Sequence, residues 1–127
     1  NRNFEKYLTE NGIQVIKFFL NISKNEQKKR FLARIEEPEK NWKFSAADAK
    51  ERGFWDDYMK AYEQAIAETS TEKSPWFIIP ADKKWFARTA ISEIIVQTSE
   101  QMNPQFPTVS KQQRESLTEA KSVLESE

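Results

Sequence analysis

Ile13-Gln14-Val15-Ile16-Lys17-Phe18-Phe19-Leu20-Asn21-Ile22-Ser23-Lys24-Asn25-Glu26 changes its periodicity once, and that change sets the fold. From Ile13 to Ile22 the run is nearly continuous in Ile, Val, Phe and Leu. That is the pattern of a buried parallel strand rather than of a half-exposed antiparallel one. Lys17 interrupts it, and nothing in the sequence accounts for a charge there. Ser23 with Glu26 three residues on is a capping box. It predicts a helix that carries Phe31, Leu32 and Ile35 inward until Pro38 ends it.

Upstream, Phe4, Tyr7, Leu8 and Asn11 share a helical spacing, and Asn11-Gly12 is a stop signal for that helix. Downstream, residues 38–44 read as a loop with aromatic anchors. Ser45 and Asp48 repeat the cap logic and open a long helix to about Thr69. Its inward stripe is Phe54, Tyr58, Ala61, Tyr62, Ala65 and Ile66. Ser70 to Pro75 reads as a turn, and Trp76-Phe77-Ile78-Ile79-Pro80 as a second short buried strand. Asp82 is placed to cap the last long helix, with Phe86, Ala90, Ile91, Ile94 and Ile95 inward. Residues 1–102 form the folded part, and 103–127 a polar tail with a weak helix from about Lys111 to Glu125.

Strands alternating with helices make an α/β chain with parallel pairing. Two strands are a poor sheet by themselves. The remaining strands are expected upstream of Asn1 or from another chain, and the unpaired edge favours association of copies. The opening at Asn1, inside a helical pattern, reads as that of a fragment.

Twenty Lys and Arg balance twenty Asp and Glu, so no net field draws the chain to nucleic acid or an anionic membrane. From Lys24 to Arg52, however, nine cations face six anions. With no cysteine, disulfides, thiolate metal sites and thiol catalysis are excluded; with no histidine, the commonest general base is missing. The apolar runs are too short to span a bilayer, and with no signal-peptide pattern a cytoplasmic location is expected.

Only Gly12 and Gly53 are glycine, so neither a Walker A loop nor a dinucleotide fingerprint is present. Anion chemistry would fall to clustered cations. Arg30 and Arg34 lie one helical turn apart before the loop, near Lys40, Lys43 and Arg52, and guanidinium is the side chain best matched to phosphate oxygens. The same residues also read as exposed helix charges paired with Glu26, Glu36 and Glu37. Trp42, Phe44, Phe54 and Trp55 could stack on a base or fill a core. Asp56 and Asp57 are neighbours on a helix and point apart, a poor metal pair. Asp82, after a strand and before a helix, stands where ligands gather in open α/β sheets, though it also reads as a plain cap.

Taken in combination, several segments resemble the polyphosphate kinase 2 family. They are Phe4 to Leu8, Lys17 to Lys24, Glu26 to Phe31, Trp42 to Ser45, Asp48, Arg52, Trp55 to Tyr58 and Ala61 to Glu63. Thr69 to Thr71, Pro75-Trp76 and Ile79 to Arg88 complete the set, and the likeness covers roughly residues 3–107. The resemblance implies part of a P-loop kinase-like three-layer sandwich with a helical lid over about 38–69. It implies transfer of a phosphoryl group between inorganic polyphosphate and a nucleoside mono- or diphosphate, with magnesium. The family's Walker motifs belong to its amino-terminal half, so the likeness is to the carboxy-terminal half, expected to be inactive alone. On that reading Lys43 and Arg52 are the foremost phosphate contacts, followed by Arg30 and Arg34, with Trp42 and Asp82 toward the nucleotide. The magnesium ligands are expected in the other half, with none here. Two other readings are a non-catalytic protein-interaction domain and a fragment of an ATP-using nucleoside monophosphate kinase.

Overall fold

In the computed structural model, which describes residues 2–126, the first helix α1 (Arg2–Glu10) ends where the sequence places its stop. Asn11 returns its side-chain amide to the Tyr7 carbonyl, and Gly12 takes a left-handed φ of 79° that a Cβ would strain. Asn1, where the sequence enters its helical pattern, and Glu127, the last residue of the tail, lie outside the described residues.

Strand β1 (Lys17–Asn21) is shorter than the apolar run, since residues 13–16 approach it without ladder pairing. It pairs in parallel with β2 (Trp76–Pro80), in register from Lys17 opposite Trp76 to Asn21 opposite Pro80. A parallel pair requires a long crossover. Here it is helical throughout: α2 (Lys24–Glu36), a 3-10 turn (Pro38–Lys43), α3 (Ala46–Glu51), a second 3-10 turn (Arg52–Phe54) and α4 (Trp55–Thr69). After β2 come α5 (Lys84–Gln101) and α6 (Lys111–Glu125).

Lys17 is the charge that the sequence could not place. Its Nζ donates to Glu5 Oε2 and to the Thr69 carbonyl, each at 2.6 Å, and lies 5.4 Å from the centre of the Trp76 ring. Trp76 in turn donates from Nε1 to Thr69 Oγ1 at 2.8 Å. One ammonium thus joins α1, the end of α4 and the start of β2. The site suits a cation, because the carbonyls at a helix C-terminus carry partial negative charge.

Several expectations are corrected. The predicted loop at 38–44 is a 3-10 turn opened by Pro38, whose fixed φ suits the first helical position. The predicted continuous helix to Thr69 breaks at Arg52-Gly53-Phe54. Its supposed inward stripe is largely uncovered, with Phe54 57% and Tyr58 42% exposed, and Leu32, Ile35, Phe86 and Ile95 are exposed too. The apolar periodicity is real, but among the described residues these faces are only partly covered, as where Tyr62 meets Phe19. Among the described residues the buried core is small: Ile79, Ala81 and Ala87, with Phe18, Ile22, Phe77, Ala90, Ile91 and Ile94 packed against it.

The chain forms two compact units, Asn1–Ile94 and Ile95–Glu127. In the second, α6 opens with a full capping box, Ser110 Oγ accepting from the Gln113 amide and Gln113 Oε1 accepting from the Ser110 amide.

Candidate functional site

The carboxyl ends of β1 and β2 deliver Ser23 and Asp82 to the same place. Ser23 Oγ accepts from the Glu26 amide at 3.1 Å, which is half of the predicted capping box. The other half is absent: the Ser23 amide donates instead to Asp82 Oδ1 at 2.7 Å. Asp82 therefore serves the N-terminus of α2 rather than that of the helix following it. Hydrogen bonds from Ser23 hold the Asp82 carboxyl below its ordinary range, with Arg30 and Lys29 adding to the effect.

Glu26 is released from the cap for another task. Its Oε1 accepts from Arg30 Nε at 2.9 Å, while Arg30 Nη2 donates to the carbonyls of Ala81 at 2.7 Å and Asp82 at 3.1 Å. The Arg30 fork is thus occupied by a carboxylate and two main-chain oxygens. It binds the loop after β2 to α2. Arg34, one turn on, lies with its guanidinium 5.6 Å from the Phe31 ring centre.

The arm from Pro38 to Thr69 presents a different surface. Trp42 is 78% exposed, with Lys43 Nζ 4.9 Å from its ring centre, so both are open to solvent or ligand. Phe44 turns inward and meets Phe31 edge-on at 5.9 Å. At the second 3-10 turn, Arg52 reaches back to α2: its Nη1 donates to Gln27 Oε1 at 2.5 Å and to the Lys24 carbonyl at 3.2 Å. Lys24 Nζ lies 5.9 Å from the Trp55 ring centre. Across the break, Tyr58 donates its hydroxyl to Glu51 Oε2 at 2.5 Å, and that carboxylate pushes the phenol's pKa upward.

Gln27, Phe31, Arg52, Trp55 and Tyr58, with residues of β1, wall a cavity of about 490 Å³ between β1, α2 and the arm. Phe19 and Tyr62 face one another at 5.1 Å, and Tyr58 stacks on Tyr62 at 6.1 Å. Arg52, Asp48 and Glu51 supply its charges. Of the sequence candidates, Arg52 lines this cavity, Arg30 and Asp82 meet at the strand ends, and Trp42 pairs with Lys43. No group of three carboxylates among the described residues could hold a metal ion, and Asp56 and Asp57 stand exposed on successive positions of α4. Sequence reasoning missed Gln27 and the Glu51–Tyr58 bridge. Gln27 carries no motif of its own; its signals are its place one turn after Lys24 and within the Glu26 to Phe31 segment.

Residues 1–107 match the sequence profile of polyphosphate kinase 2 (PPK2). An uncharacterized protein of Leptolyngbya boryana is 63% identical over 125 residues, covering 98% of this chain and 92% of that protein. An ADP-polyphosphate phosphotransferase of Rhodopseudomonas palustris is 52% identical over 123 residues, covering 97% of this chain and 43% of the relative. The crystal structure of polyphosphate kinase 2 from Arthrobacter aurescens TC1 superposes with a TM-score of 0.80 at 43% identity, covering 92% of this chain and 43% of that one. The chain therefore spans less than half the length of these two named proteins. On the extent of the profile match and the identity to its relatives, it belongs to the polyphosphate kinase 2 family.

Proposed function

We propose that this chain is the carboxy-terminal part of a polyphosphate:nucleotide phosphotransferase, in which residues 38–69 are the lid over the reacting phosphates. The observation that carries this reading is the arm itself. A helical segment of a polyphosphate kinase 2 chain carries Arg52, half-buried at a cavity wall and, among the described residues, bonded to neutral oxygens, with Lys43 open beside Trp42. Such cations are what a loose phosphoryl-transfer transition state requires, since its catalysis is mostly positioning and charge neutralisation. Arg52 and Lys43 are the groups that meet phosphate oxygens, and Trp42 offers a face to the nucleotide.

Arg30 and Asp82 have a different part. Their bonds fix the loop after β2 against α2, giving the arm a rigid floor. Arg34 lies one turn beyond, against Phe31. Among the described residues no group of three carboxylates gathers, and on this reading the magnesium ligands come from the rest of the enzyme. The uncovered edge of β1 is where further strands of the sandwich join, and uncovered aromatic faces favour association of copies. No helix among the described residues is long and apolar enough to cross a membrane.

The test is a chimera. Residues 1–107 replace the matching segment of the Rhodopseudomonas palustris relative, and the purified protein is assayed with polyphosphate or ATP as donor and ADP or AMP as acceptor. Turnover with polyphosphate is expected, with at least a hundredfold loss on Arg52→Ala and none detectable from the chain alone. A folded but inactive chimera, or one that uses only ATP, would overturn the reading.

A further inference from the structure

Arg52 and Arg30 both bind to α2, but their acceptors differ in kind. Arg30 meets a carboxylate and two carbonyls at the strand ends. Arg52 meets the side-chain oxygen of Gln27 and one carbonyl, and it forms no ion pair among the described residues. A hydrogen bond from a cation to a neutral amide is real but exchangeable, because an anionic oxygen is the stronger acceptor. The position of Arg52 sharpens the point. Its guanidinium reaches the first turn of α2, whose dipole is positive there, where it donates to the Lys24 carbonyl. Of the carboxylates on α2 and α3 nearby, Glu26 is engaged with Arg30 and Glu51 with Tyr58, while Asp48 lines the same cavity as Arg52 without an ion pair to it among the described residues.

The mechanical setting makes this contact matter. The arm is anchored at the end of α4 by Lys17, Trp76 and Thr69. At its entry the arm is tied to α2 by Asn41 Nδ2, which donates to the Arg34 and Ile35 carbonyls at 2.8 Å, and by Phe44 against Phe31. Arg52 therefore holds the middle of the arm to α2, at the point where the helix breaks between α3 and α4.

We propose that Gln27 is a positioning residue for Arg52: it holds the guanidinium against α2 when no phosphate is present and competes with phosphate for it. Occupancy by Gln27 lowers the fraction of chain in which Arg52 is available, so the apparent affinity for a phosphate chain falls by that fraction. The proposal rests on the reading of Arg52 as a phosphate ligand.

Two substitutions push the competition in opposite directions. Gln27→Met keeps the length and removes the acceptor, which frees Arg52. Gln27→Glu turns the neutral acceptor into a carboxylate, which holds Arg52 harder. Binding of long-chain inorganic polyphosphate to the full 127-residue chain by calorimetry is expected to tighten roughly fivefold in Gln27→Met and weaken roughly fivefold in Gln27→Glu. Without polyphosphate, amide exchange across residues 46–54 is expected to quicken in the first and slow in the second. A residue of merely structural role would shift both variants the same way, and that result, or no shift in either, overturns the proposal. If exchange moves in opposite directions but Arg52→Gln binds polyphosphate as the unsubstituted chain does, the hold exists but the phosphate reading of Arg52 fails. The competition then falls with it.

Discussion

The two ends of the crossover are built on opposite principles. At its base and at the strand ends, Lys17 and Arg30 each meet a carboxylate and main-chain oxygen in a partly or largely buried place: Lys17 with Glu5 and the Thr69 carbonyl, Arg30 with Glu26 and two carbonyls. In the arm, charges and aromatics stay in play: Lys43 over an exposed Trp42, Arg52 on a neutral glutamine, Phe54 and Tyr58 uncovered. The same residue types are used in both. What separates them is whether the partners are complete within this chain. A completed network fixes geometry, while an incomplete one leaves groups for something else to meet.

The contrast breaks first at Lys17. Its side chain is 11% exposed and that of Glu5 is 15% exposed, so removing one partner leaves a charge in a nearly dry place. Lys17→Met is expected to lower unfolding free energy by about 3–4 kcal/mol, read from urea titration. Adding Glu5→Leu should recover a good part of the loss, because replacing both members with apolar groups removes the stranded charge. If the double variant is no better than the single one, the main-chain carbonyl at Thr69 is the partner that matters.

The two arginines give the next test. Arg30→Ala leaves two carbonyls and a half-buried carboxylate without a donor and should cost about 2 kcal/mol. Arg52→Ala loses bonds to neutral acceptors that water can replace and should cost about 1 kcal/mol or less. In the chimera the ranking should invert. Arg52→Ala should abolish polyphosphate-dependent turnover, while Arg30→Ala should act chiefly through stability. Equal losses of stability would remove the distinction between a fixed and an available guanidinium.

How much of this could be read in the sequence depends on which interactions are local. The βα unit at Lys17–Glu36 was legible because strand period, cap and proline stop are written within one stretch. The resemblance to polyphosphate kinase 2 was legible because its segments are specific in combination, and the profile match confirms it. The pairing of Arg30 with Glu26, one turn apart, was legible too, whereas the partner of Asp82 and the main-chain partners of Arg30 were not, since they lie 59 and 51 or 52 residues away across the parallel pair. A capping box seen in sequence cannot reveal that a distant carboxylate has taken half of it. The exposed stripe on α4 failed for another reason: periodicity reports which face is apolar, not whether its cover belongs to the same chain.

Asp82 offers the smallest and most specific test, because its carboxylate is exposed and acts through one hydrogen-bonded contact. Folding lowers its pKa beneath the ordinary 3.8, so the folded state favours the ionised form. By linkage, its contribution to stability is present above that value and is lost as pH falls through the lowered one. Asp82→Asn cannot titrate. The gap in urea midpoint between the two proteins should therefore be widest near neutral pH and should close on acidification below 3.8. A gap that stays constant with pH would mean that the carboxylate's charge does not support the α2 N-terminus. The fixed end of the site would then rest on Arg30 rather than on the carboxylate at the end of β2.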